Sequence, residues 1–117
     1  MSTRVDLRSR RLQATLAVIR GPVTSGLMVP LKNISPTGAG VYTKLAISPH
    51  TAVRLAIENI EHLPLEGKVA RCETLVGDPT APPTHPYFIS IDFIFRSDTE
   101  RLHAFETFEA VCKLVES

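Results

Sequence analysis

This sequence has no tryptophan and only two cysteines, Cys72 and Cys112, which show no CxxC spacing and no neighbouring histidine cluster. That argues against a disulfide framework or a cysteine-based zinc site, and for two reduced thiols in a reducing compartment. No stretch approaches the ~18 apolar residues of a membrane span, and the N-terminus Met-Ser-Thr-Arg-Val-Asp lacks the apolar run of a signal peptide. A cytoplasmic protein without a membrane span is therefore expected. GxSxG, Walker and Rossmann patterns are also missing. The histidines His50, His62, His85 and His103 have no ligand spacing, and Glu58, Glu61 and Glu66 read as a solvated face. The expectation is a protein that is not an enzyme and carries no metal and no cofactor.

Aromatic residues are scarce in one half of the chain, since all seven, five phenylalanines and two tyrosines, lie at or after Tyr42. Charge is divided as unevenly. Residues 1–56 hold eight Lys or Arg against the single acid Asp6, while residues 57–117 hold five against eleven Asp or Glu. Net charge is only +1, so a broad basic stripe with aromatic platforms, as long nucleic acid requires, is absent. A basic segment on a near-neutral chain suits a small anionic ligand better. At 117 residues the chain is most simply one domain, able to bury an ordinary core without a staple.

Turn residues divide the rest into short strands. Gln13 to Arg20 has strand length and β-branched content and ends at Gly21-Pro22. Gly26 to Ile34 forms a second run, whose Pro30 belongs at an edge or bulge because it donates no hydrogen bond. Ser35-Pro36-Thr37-Gly38 is a turn, with Pro36 setting φ and Gly38 free to take a positive one, and Gly38 to Thr43 is a third strand. Ser48 to Ile57 is ambiguous on its own, because Ser-Pro starts helices while Val53, Leu55 and Ile57 alternate as in a strand. Leu65 to Leu75 is a strand in which Val69 and Cys72 share a face only if a bulge intervenes. Residues 77–86, with four prolines, form an extended surface loop.

Tyr87 to Phe95 is the strongest strand, with Tyr87, Ile89, Ile91, Phe93 and Phe95 on one face and Phe88 on the other. Ser97-Asp-Thr-Glu100 then fits a capping box, and Leu102, Phe105, Phe108, Cys112 and Val115 recur at helical spacing. Six strands followed by one helix predict a mainly β fold, a small antiparallel barrel closed by a C-terminal amphipathic helix.

Two patches carry chemistry. Arg4, Arg8, Arg10 and Arg11 form a basic arm, and guanidinium groups bond bidentately to phosphate or to guanine O6 and N7 and stack on purines. Downstream, Asn33-Ile34-Ser35-Pro36-Thr37-Gly38 offers an amide carbonyl for a guanine edge, a hydroxyl that either donates to phosphate or holds the loop, and a glycine that admits close backbone approach.

Arg4-Val5-Asp6-Leu7-Arg8 followed one hairpin later by NxSxxG resembles the RxxxR and [Asp/Asn]xSxxG pair of PilZ domains, over roughly residues 4–105. The resemblance implies a six-stranded PilZ-type barrel over residues 13–96, an arginine arm over 1–12 and a helix over 97–117, and it assigns Ser48 to Ile57 to a strand. It also implies that cyclic di-GMP binds between Arg4, Arg8, Arg10 or Arg11 and Asn33, Ser35 and Gly38, and that binding is signalled to a protein partner, such as a motility or secretion component. Two arginine registers stay open, Arg4 with Arg8 and Arg8 with Arg11; in the second, Leu7 stands where the family's first arginine falls. Ser90 replaces a glycine common in the family's late strand. The alternative is a PilZ-like adaptor that docks a protein and binds no nucleotide.

Overall fold

In the computed structural model, which describes residues 5–6, 12–20, 23–60, 64–79 and 82–116, the chain runs through seven strands and a helix. The strands are β1 (Val5–Asp6), β2 (Leu12–Arg20), β3 (Val23–Ser35), β4 (Gly38–Thr43), β5 (Ala52–Ile57), β6 (Leu65–Thr74) and β7 (Tyr87–Phe93), and the helix is α1 (Asp98–Glu116). They form one antiparallel sheet ordered β1-β3-β2-β5-β6-β7-β4, and an additional β3–β4 pairing closes it. Six strands, β2 to β7, thus make a barrel, and closure leaves no open edge within that ring. This is the mainly β, six-stranded architecture with a C-terminal helix that the sequence predicts. β1 adds to β3 on the same side as β2.

Period-two burial explains the strands. Ala14, Leu16 and Val18 of β2, Val53, Leu55 and Ile57 of β5, and Ile89, Ile91 and Phe93 of β7 all enter one core, each full burial of a Leu or Ile being worth roughly 1.5–3 kcal/mol. Within Ser48 to Ile57 the strand begins at Ala52. Before it, the chain turns through His50 (φ 71°), and Thr51 donates its hydroxyl to the Ser48 carbonyl at 2.6 Å. Pro30 sits one residue before the β4 ladder begins at Leu31, so on that side no partner strand requires its missing N–H.

The bulge that would let Val69 and Cys72 share a face is present in β6. Val69 pairs with Ile91 but Arg71 with Ser90 and Cys72 with Ile89, so β6 takes one more residue than β7 between these pairs. The extra residue, Ala70, returns Cys72 to the side of Val69, where it packs against the core.

The helix starts as its capping signal requires, with the Glu100 amide donating to Ser97 Oγ at 3.2 Å. Its buried face differs from the expected stripe. Ala104, Thr107 and Val111 are buried, with Phe108, Cys112 and Val115 partly so, whereas Leu102 and Phe105 are 56% and 44% exposed. Small residues decide this: Ala104 and Thr107 let the helix backbone approach the barrel, and Thr107 donates its hydroxyl to the His103 carbonyl at 2.9 Å. The larger Leu102 and Phe105 are left on the solvent side.

Candidate ligand-binding face

The end of β3 breaks the strand period. Val29, Leu31 and Ile34 all belong to the core, although Leu31 and Ile34 are three residues apart. The register supplies the cause: Leu31 pairs with Val41 and Asn33 with Gly40, so β3 spends two steps where β4 spends one. Lys32 is the extra residue of a β-bulge. Strict alternation from Leu31 would turn Asn33 into the barrel. With the bulge, Lys32 and Asn33 both face outward, and Ile34 regains the interior.

Beside them lies an aromatic pair. Ala39 and Val41 of β4 and Ile89 and Ile91 of β7 point inward, so Gly40, Tyr42 and Phe88 occupy the outer face. Tyr42 pairs with Phe88 across the two strands, their ring centroids 5.9 Å apart and tilted by 58°. The Phe88 ring leans over Gly40, where a Cβ would stand 2.6 Å from it and 2.9 Å from Asn33 Oδ1. The Lys32 ammonium caps the pair, 4.6 Å from the Phe88 centroid and 6.0 Å from that of Tyr42, within the range of a cation–π contact. β7 thus brings the Phe88 ring from the acidic half of the sequence to the basic half, beside Tyr42.

The turn that follows is held from within. Ser35 Oγ accepts from the Thr37 amide at 3.3 Å, lies 3.3 Å from Thr37 Oγ1 and donates to the Gly38 carbonyl at 3.4 Å. Of the two roles open to Ser35, holding the loop is the one these bonds describe. Gly38 corrects an expectation, because its φ is not positive; Gly77 is the glycine with positive φ among the described residues. Glycine is needed at position 38 because a Cβ there would stand 2.5 Å from the Ile91 carbonyl oxygen. Asn33 and Ser35 are both 8% exposed, so the Asn33 amide sits in a largely desolvated position.

Arg4, Arg8, Arg10 and Arg11 lie outside the described residues. What flanks them is described. Val5 pairs with Ile34 and Asp6 with Asn33, while Leu12 pairs with Leu31. Residues 7–11 therefore connect two positions whose β3 partners, Asn33 and Leu31, are only two residues apart, with Lys32 between them. Sequence spacing had no means of finding Lys32, Tyr42 or Phe88 as neighbours of Asn33, since the bulge and the β4–β7 register place them there.

The other features lie elsewhere. A cavity of about 310 Å³ is lined by Leu65, Glu66, Phe95, Thr99, Glu100 and His103, none of them a predicted site residue. At its edge Glu66 pairs with Arg96 and, at 3.8 Å, with Arg54, and the Arg101 guanidinium lies 4.9 Å from the Phe95 ring centroid. Among the described residues there is no group of three His, Cys, Asp or Glu side chains placed to hold a metal, and no helix long and apolar enough to cross a membrane.

No family model matches the chain, and no curated protein matches it in sequence. Solved structures do match in fold. The complex of K. pneumonia MrkH with c-di-GMP superposes with a TM-score of 0.68 at 16% identity, covering 97% of this chain and 52% of that one. A second MrkH structure, described as a c-di-GMP-dependent transcription regulatory factor, gives 0.67 at 16% identity over 97% and 50%. The Bacillus subtilis inhibitor of motility MotI/DgrA gives 0.60 at 15% identity over 98% and 51%. The chain spans about half the length of each. At these identities the likeness is one of fold, a barrel and helix shared with half of each neighbour.

Proposed function

We propose that this chain is a PilZ-type receptor that binds cyclic di-GMP on the outer face at Asn33 and signals through a protein partner. One observation carries the reading: the pairing of Asp6 with Asn33 ties the arginine-bearing segment to the turn motif. Arg4 and Arg8 each stand two residues from Asp6, and two extended residues span at most ~7 Å. Chain connectivity therefore leaves an arginine of that segment within reach of a dinucleotide held at the Asn33 amide. In this reading the arginines bind phosphate and guanine, the Asn33 carbonyl accepts from a guanine N–H, and Ser35 and Gly38 hold the turn that presents it. The fold neighbour MrkH is a protein solved with c-di-GMP bound, which favours the same ligand class.

A second reading has its own support. Leu102 and Phe105 are exposed on a helix that also carries Asp98, Glu106 and Glu109, an apolar and acidic surface of the kind an adaptor offers to a partner. The two readings separate in one experiment, isothermal titration with cyclic di-GMP on wild type, Arg8→Ala and Asn33→Ala at moderate salt. The receptor reading expects heat from wild type at ligand concentrations on the order of tens of micromolar, and weaker binding in both variants. Silence from a folded wild type would leave the adaptor. Arg4→Ala and Arg11→Ala then choose between the registers: the pair whose loss abolishes binding together with Arg8 is the one in use.

A further inference from the structure

We propose that Lys32 is a ligand-contacting residue of this face, its ammonium taking a phosphodiester oxygen of the dinucleotide beside the Asn33 amide. The inference rests on the cyclic di-GMP reading and deepens it, because Lys32 belongs to neither sequence motif. The β3 bulge sets the arrangement. It turns Lys32 and Asn33 to the same outer face, so a cation and a guanine-reading amide stand on successive residues of one strand.

The ammonium is also held in place before any ligand arrives. It rests 4.6 Å from the centroid of the Phe88 ring, and that ring is itself seated on Gly40. A cation–π contact uses the face of the charge turned to the ring and leaves the other N–H donors open to an anion. The ion pairs formed among the described side chains join Arg54 and Arg96 to Glu66 and Arg71 to Glu73, and none involves Lys32. Finally, β1 and β2 pair with β3 at Asn33 and at Leu31, the two residues that flank Lys32. Lysine serves there as a compact point charge for phosphate.

The test is titration of the 117-residue chain with cyclic di-GMP, using wild type, Lys32→Gln and Lys32→Arg at salt of about 50 mM and about 500 mM. Loss of one charge-assisted phosphate bond should raise Kd about tenfold in Lys32→Gln at low salt. The gap should narrow at high salt, and Lys32→Arg should recover most of the affinity, while unliganded Tm reports whether packing over Phe88 has changed. A Lys32→Gln affinity matching that of wild type overturns the proposal and leaves the receptor reading standing. So does a loss that is equal at both salts and shared by Lys32→Arg, which marks a packing role. A wild type that binds no cyclic di-GMP overturns both.

Discussion

Phe88 lays its ring over Gly40, its diagonal neighbour across the β4–β7 pair, and so fills the space where any other residue would carry a side chain. The contact joins two strands that are neighbours in the sheet but distant in sequence, and it places an aromatic surface beside Asn33.

Gly40→Ala should destabilise the protein by about 1–3 kcal/mol, because the new methyl meets the Phe88 ring and the Asn33 amide at once. Gly38→Ala should cost more. Its Cβ meets the Ile91 carbonyl oxygen at 2.5 Å, and backbone yields less readily than a ring. Urea unfolding of both variants checks the order, and equal midpoints would contradict the close approach at Gly38.

Helix orientation is tested by opposite substitutions. Val111→Ala removes two buried methyl groups and should cost about 1.5–3 kcal/mol, whereas Phe105→Ala, on the exposed side, should stay within about 1 kcal/mol despite the larger deletion. Thermal denaturation measures both. If the phenylalanine costs more, the helix docks through the other stripe.

Ser97→Ala should lower stability by about 1 kcal/mol, since the Glu100 amide loses its acceptor at the first turn of α1. Ser97→Asp should recover it, keeping an oxygen acceptor and adding a charge favourable to the helix N-terminus. Circular dichroism during chemical unfolding gives the comparison.

His85 supplies a pH dependence. Partial burial, and then the nearby Lys44 charge, hold its pKa below the ordinary histidine value, while Thr84 Oγ1 lies 2.8 Å from its Nδ1. The unfolded chain therefore binds this proton more readily than the folded one. The contribution to stability is present above the unfolded pKa, near pH ~6.5, and is lost as pH falls through the lowered folded value. Urea midpoints at about pH 7.5 and about pH 5 should differ more in wild type than in His85→Gln. The His85 ring resonance, followed by NMR, should titrate below ~6.5.

The barrel was legible along the chain because alternation and turn chemistry act between near neighbours. Ser97 with Glu100 declares a helix start, Val69 with Cys72 can share a face only through a bulge, and the alternation of Val53, Leu55 and Ile57 allowed a strand that the family resemblance selected over a helix. The helix stripe was read only in part: Phe108, Cys112 and Val115 pack against the core, but hydrophobicity also counts Leu102 and Phe105, where the buried positions are the small Ala104 and Thr107.

Asn33, Ser35 and Gly38 could be picked out as a motif, yet their working surroundings could not. Gly38 reads in sequence as a residue of unusual φ, and in the barrel it answers to the Ile91 carbonyl of a strand fifty residues later. Lys32 shows no partner in sequence, and acquires Asn33, Phe88 and Tyr42 through a single inserted residue and the pairing of β4 with β7. A strand's own period states which residues alternate. Phase and neighbours depend on bulges and ring closure, which arise from contacts between distant segments, and on this barrel they place a lysine and two rings beside the motif.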